Sequence, residues 1–328
     1  DTDGVSGTVS TSEQQDWNGK LYYDTTEGCL VLEADGLEVN HQEMSRKMAA
    51  IYSENDVPMK LVLKNNPSTI GGGNASADVS TYAIYSSRNL TIDMQVSGSL
   101  FQGIDAHAQS SQGMGSYAIY AQRDIVINSA DAEYVLTASS GQGVGQSCGI
   151  YADSSTLTIN GGTIYATSGG GGTGNNDGIY GYNVIVNGGT VEAKGGTSGY
   201  KSYGIRANQN MTVCDGAEVY ANGDGNLQTM RCAGLSVEGS FTIEGGIFQA
   251  VGKEAEYSFG VDGNGQIRGG DVTISSEDGM DTSRAVNGSL SIVDGTVVLS
   301  CSENSTNKEV VPAQITFSDA EQTNDTWY

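Results

Sequence analysis

Short apolar runs of four or five residues, separated by glycine-rich corners, recur along most of the chain. The clearest unit is Gly149-Ile150-Tyr151-Ala152 followed by LTINGGTIYATSG (157–169). Aligned on the Ile of Gly-Ile-Tyr, the copies place anchors at Ile51, Ile84, Ile119, Ile150, Ile179, Ile205, Leu235, Val261 and Val286. Subtracting neighbouring positions gives spacings of 33, 35, 31, 29, 26, 30, 26 and 25 residues. A second apolar position follows in most copies, at Ile92, Ile127, Ile159, Val186, Val213, Ile243, Ile267 and Ile292. Then comes a corner such as Asn160-Gly161-Gly162 or Asn187-Gly188-Gly189, and a third run such as TIYA, TVEA or IFQA.

These runs alternate with period two and are rich in β-branched residues, which favours strands. They are too short for helices. Three short strands per unit, repeated in the 20–50 residue range, predict a solenoid. The fold class is all-β, a right-handed parallel β-helix with three strands per coil and about nine clean coils plus caps. A propeller needs four strands in a longer blade. A sandwich would not repeat one phrase in register.

The repeats span 49–301, which the pattern assigns to the β-helix. Residues 1–48 lack the clean phrase and read as an N-terminal cap with a first irregular coil, because an open solenoid end needs shielding. Within them CLVLEADGLEV (29–39) reads as strand, and HQEMSRKMAAIY (41–52) as either a short helix or the entry to the first clean coil. Residues 302–328 read as a C-terminal cap and a disordered tail.

Charge narrows the partners. Asp and Glu total 39 against 15 Lys and Arg, a net charge of −24. That argues against nucleic acid and anionic membranes, which need a basic patch. It also disfavours an acidic polymer unless a divalent cation bridges the two. No apolar run reaches 18 residues, so no membrane-inserted helix is expected. A polar, glycine-rich solenoid fits the cell exterior, with an export signal removed or lying outside this sequence. The five cysteines, Cys29, Cys148, Cys214, Cys232 and Cys301, match no zinc spacing. They read as buried thiols, with Cys214 and Cys232 as a candidate disulfide.

Strict alternation from the anchor puts the residues one before and one after it outside. On that reading Tyr52, Tyr85, Tyr120, Tyr151 and Tyr180 form an exterior line, with Ala or Gly beside each ring. Arg88 and Arg123 lie four residues after their anchors, near the line. Glycine-rich loops such as SSGQGVGQS and SGGGGTGNND precede the anchors along one edge. Two readings follow. Tyr85, Tyr120, Tyr151 and Tyr180 with Arg88 and Arg123 are a glycan strip, since sugar C–H faces stack on aromatic rings. Alternatively the rings stack on one another and stabilise the exterior.

Oxygen-rich loops offer candidate calcium ligands at Asp177, Asp224, Asp262 and Asp278, although none matches an EF-hand. The same Asn, Asp and Gly residues also form turns. Catalysis has little to draw on. His41 and His107 occur in unrelated contexts, and a carboxylate pair for glycoside chemistry has no distinctive pattern among so many acids.

The phrases Gly-Ile-Tyr-Ala and LTINGGTIYA resemble the repeats of bacterial β-helix surface proteins, chiefly from clostridia and related gut anaerobes. The resemblance covers residues 49–301. It implies a carbohydrate-binding type that is pectate-lyase-like in shape and takes polygalacturonate with calcium. It brings no diagnostic site motif, so no site residue transfers. The polygalacturonase patterns Asn-Thr-Asp, Gly-His-Gly and Arg-Ile-Lys are absent. The expectation is a non-catalytic, extracellular or cell-surface protein that binds polysaccharide or acts as an adhesin. A polysaccharide lyase or glycosidase and a structural stalk are the alternatives.

Overall fold

A computed structural model describes residues 19–35, 38–40, 48–53, 57–64, 68–74, 79–95, 103–109, 114–129, 131, 133–197, 200–302, 307–309 and 314–317. The chain winds into a right-handed parallel β-helix. First and second strands of each coil belong to a 17-stranded sheet, and third strands to a 10-stranded sheet. In the middle of the solenoid one bent strand serves as both first and second strand, as in Gln146–Ile159, Asn175–Val186 and Lys201–Val213.

All nine anchors stack in one column, each Ile, Leu or Val opposite its equivalent in the next coil. The second column runs from Leu32 and Leu61 through Ile92, Ile127, Ile159, Val186, Val213, Ile243 and Ile267 to Ile292. The third strands add Leu136, Ile164, Val191, Val219, Phe248 and Val272. These side chains form one continuous core. Parallel pairing also runs past both ends of 49–301, through Cys29–Asp35 and Glu38–Asn40 on one side and Asn307–Glu309 and Gln314–Phe317 on the other. Gly19–Asp24 pairs antiparallel with Cys29–Asp35. A strand running the wrong way covers an edge that another chain would otherwise extend. Of the segment 41–52, Met48–Ser53 is strand; residues 41–47 and the tail 318–328 lie outside the described residues.

From the coil of Ile159 onward, the corner after the second strand carries a glycine with positive φ, at Gly162, Gly189, Gly216, Gly246, Gly270 and Gly295. Gly189 has φ 81°, and a Cβ there would sit 2.3 Å from the Gly162 carbonyl oxygen one coil away. Gly216 has the same φ of 81°, with nothing within 4 Å of an added Cβ. Gly216→Ala should therefore cost only the left-handed backbone penalty of about 1–2 kcal/mol. Gly189→Ala should add a clash of roughly 1–3 kcal/mol. Thermal melting of the two variants checks this. Equal losses would mean that the coils do not approach closely at the corner.

One register expectation is corrected. The residue before each anchor does not face out. Ala83, Ala118 and Ala285 lie in the main core, and Gly149, Gly178, Gly204, Gly234 and Gly260 occupy the same place in other coils. A Cβ on Gly178 would lie 2.5 Å from the Lys194 nitrogen and 2.8 Å from the Ala166 oxygen. Here the first strand bends directly beneath the third-strand sheet, and only a small residue fits between the two backbones. Two successive residues thus point inward, and alternation restarts one residue out of phase. The residue two before the anchor, which the same alternation would put inside, turns away from the main core to the side of the tyrosine line, where Cys148, Asp177 and Ala233 are still fully buried.

Candidate functional site

That bend builds a double aromatic column. Tyr52, Tyr85, Tyr120, Tyr151 and Tyr180 stand in register, and Tyr82 and Tyr117 flank them from two residues before the anchor. Ring centroids along the main column are 4.8, 5.2, 5.4 and 4.4 Å apart, all stacked. Tyr82 and Tyr117 stack on each other at 5.3 Å. They meet the main column edge-on, at 5.0 to 5.4 Å.

The tyrosines were expected to lie exposed in a line. They are in line, but Tyr85 is 2% and Tyr180 6% exposed, and Tyr120 and Tyr151 are half-buried. Each ring spends its faces on neighbouring rings, which leaves edges rather than platforms for a sugar. Tyr52, at the N-terminal end of the column, is 40% exposed. Burial pushes the phenols of Tyr117, Tyr120 and Tyr151 up, and that of Tyr82 to about 12. The Tyr120 hydroxyl donates to Asp153 at 3.2 Å, and Gln122 donates to the Tyr85 hydroxyl at 3.1 Å. Replacing both Tyr120 and Tyr151 by Ala should lower stability by roughly 3–5 kcal/mol. A melting temperature unchanged in that double variant would show the ladder to be ornamental.

The column ends on charge. Arg206 follows Tyr180 in register, and its guanidinium lies 4.2 Å from the Tyr180 ring centre. It donates to Asp177 Oδ2 from Nε at 3.0 Å and pairs with it through Nη2 at 2.7 Å. Asp177 is wholly buried, two residues before its own anchor. Gln146 also donates to Oδ2, while Oδ1 has no hydrogen-bond partner among the described residues. Burial pushes the Asp177 carboxyl up against the opposing pull of Arg206.

The other expected site residues are scattered. Arg88 and Arg123 lie in the bends that leave the first strand, half-buried and exposed respectively. Asp224 holds Lys194 at 3.0 Å and Lys253 at 3.2 Å. Asp262 holds Arg231 at 2.6 Å and accepts from Asn287. Asp278 accepts from Ser302 and lines an open hollow with Glu254 and Glu277. Asp177, Asp224 and Asp262 therefore already face basic groups of the protein, on different coils. Among the described residues, no three His, Cys, Asp or Glu are grouped to hold a metal ion. All five cysteines are free; Cys214 donates to Asn187 at a corner, and Cys232 is buried in a first strand.

Three residues before the anchor, a buried polar column fastens the glycine-rich loops. Gly141 and Gly143 donate to Ser116 and Ser147, each at 2.9 Å. Asn176 donates to the Gly171 and Thr197 carbonyls. Asp224 donates its amide to Ser202 at 2.9 Å. The loops are thus held by first strands both of the coil they leave and of the coil they precede.

The third-strand face is different. Ile164 and Ala166, Val191 and Ala193, and Val219 and Ala221 point into the core. Alternation then sends Thr137, Tyr165, Glu192, Tyr220, Gln249 and Thr273 outward in one straight column. Thr163, Thr190 and Glu218 run beside it on one flank, and Thr167, Lys194 and Asn222 on the other. Tyr165 is 36% exposed. Unlike the stacked column, neither Tyr165 nor Tyr220 contacts another ring among the described residues. Sequence reasoning passed over both, although TIYAT (163–167) and EVYAN (218–222) carry the same outward-tyrosine phrase. No helix in the described residues is long and apolar enough to cross a membrane. Compared with known proteins, the chain matches no family model, no curated protein and no solved structure.

Proposed function

We propose that this chain is a non-catalytic, exported β-helix that binds polysaccharide along its third-strand face. The observation that carries this reading is the outward column Thr137-Tyr165-Glu192-Tyr220-Gln249-Thr273. It runs about 24 Å along the axis, at one residue per 4.8 Å coil. Hydroxyl, amide and carboxylate groups on a regular grid match the hydroxyls of a sugar chain, and unstacked tyrosines match its C–H faces. The stacked tyrosine ladder on the first-strand face serves rigidity in this reading.

The test is a glycan array with the whole protein, in calcium and in chelator, followed by assay of bound polymers for new reducing ends and unsaturated products. Binding without cleavage is the expected result. Cleavage that is lost on changing a single acidic residue would make the chain a lyase or glycosidase. A protein that binds nothing on the array would be a structural stalk.

A further inference from the structure

We infer that Tyr165 and Tyr220 form a two-platform subsite for a neutral, β-1,4-linked polysaccharide lying parallel to the solenoid axis. This rests on the polysaccharide-binding reading and specifies its ligand. Tyr165, Glu192 and Tyr220 are consecutive in register on three adjacent coils. The two tyrosines are therefore two coils apart, about 10 Å. That is the length of one disaccharide in an extended β-1,4-linked chain, in which alternate sugars present the same face. Each platform would take every second sugar. A helical α-1,4 chain does not keep this repeat along a straight line.

The intervening residue points to hydroxyls. Glu192 is exposed between the platforms, and a carboxylate accepts strong hydrogen bonds from sugar hydroxyls. On the flank, Glu218 Oε2 accepts from the Tyr220 hydroxyl at 3.4 Å and from Thr190 at 3.5 Å. Lys194, on the opposite flank, is paired with Asp224. The subsite is thus negatively charged within a chain of net charge −24, which repels uronic-acid polymers and admits neutral ones.

Titration calorimetry with cellohexaose, mannohexaose, maltohexaose and hexagalacturonate tests the inference. The two β-1,4-linked neutral hexaoses should bind. Tyr165→Ala and Tyr220→Ala should each weaken binding roughly tenfold, as loss of a central aromatic contact does. The double Ala variant should lose binding, and Tyr165→Phe with Tyr220→Phe should keep it. Tyr182→Ala, which removes a 40% exposed ring at the bend of Asn175–Val186, should change nothing. Melting temperatures confirm that each variant is folded. Unchanged affinity in the double Ala variant, or preference for maltohexaose or hexagalacturonate, overturns this subsite and leaves polysaccharide binding standing. Wild-type protein that binds none of the four, nor any polymer on the array, overturns both.

Discussion

Ile159→Ala is expected to cost about 2–5 kcal/mol of stability. Ile159 is fully buried. It sits in the second-strand column with Ile127 on one side and Val186 on the other. Nothing in this arrangement can collapse into the space left by three lost carbons, because each coil's spacing is set by backbone hydrogen bonds to both neighbours. The cost therefore combines lost transfer energy with a retained cavity. A solenoid amplifies the consequence, since each coil contacts only the coils beside it. A weakened coil in mid-chain interrupts coupling between the two halves, so unfolding should broaden or split as well as shift. Denaturant titration followed by circular dichroism measures both. A loss under ~0.5 kcal/mol, the range of an ordinary surface substitution, would show that Ile159 does not face the core.

The fold was legible because its two determinants are local. The anchor residues recur in one phrase every 25 to 35 residues, and corners such as Gly162 and Gly189 need a glycine that is visible in the sequence. The nine anchors consequently stack as the alignment implies. The exterior was less legible because it depends on phase. Alternation was carried straight through the residue before the anchor, where Ala83 or Gly178 read as small surface residues. In the molecule they are small because two backbones meet there. Shifting the phase by one residue moves a whole set of side chains to the other face. Tyr82 and Tyr117 thereby joined the outer line, and the expected platforms became a closed stack. Tyr165 and Tyr220 were overlooked for the opposite reason. Their alternation is unbroken, but two tyrosines separated by Glu192 do not form the unbroken run that drew attention to Tyr85 through Tyr180.

Asp177→Ala should destabilise the protein by about 3–5 kcal/mol, through the arginine it leaves behind. The Asp177 side chain is fully buried and that of Arg206 is 17% exposed. Removing the carboxylate leaves a largely buried guanidinium beside the Tyr180 ring without its bonds at 2.7 and 3.0 Å. Stacking of Arg206 on Tyr180, on the order of 1–2 kcal/mol, is present in both proteins and cancels from this difference. Two further variants separate the charge from the space. Asp177→Asn keeps an acceptor for Arg206 and should cost less than Asp177→Ala. Combining Asp177→Ala with Arg206→Met removes both charges and should recover much of the loss, because a buried pair is costly mainly when broken. The measurement is a double-mutant cycle by chemical denaturation. If Asp177→Ala with Arg206→Met is no more stable than Asp177→Ala alone, the penalty comes from lost packing at the end of the tyrosine column. If it recovers, the ion pair is what lets the aromatic column give way to the polar line at Ser236 and Asp262 without an unpaired charge between them.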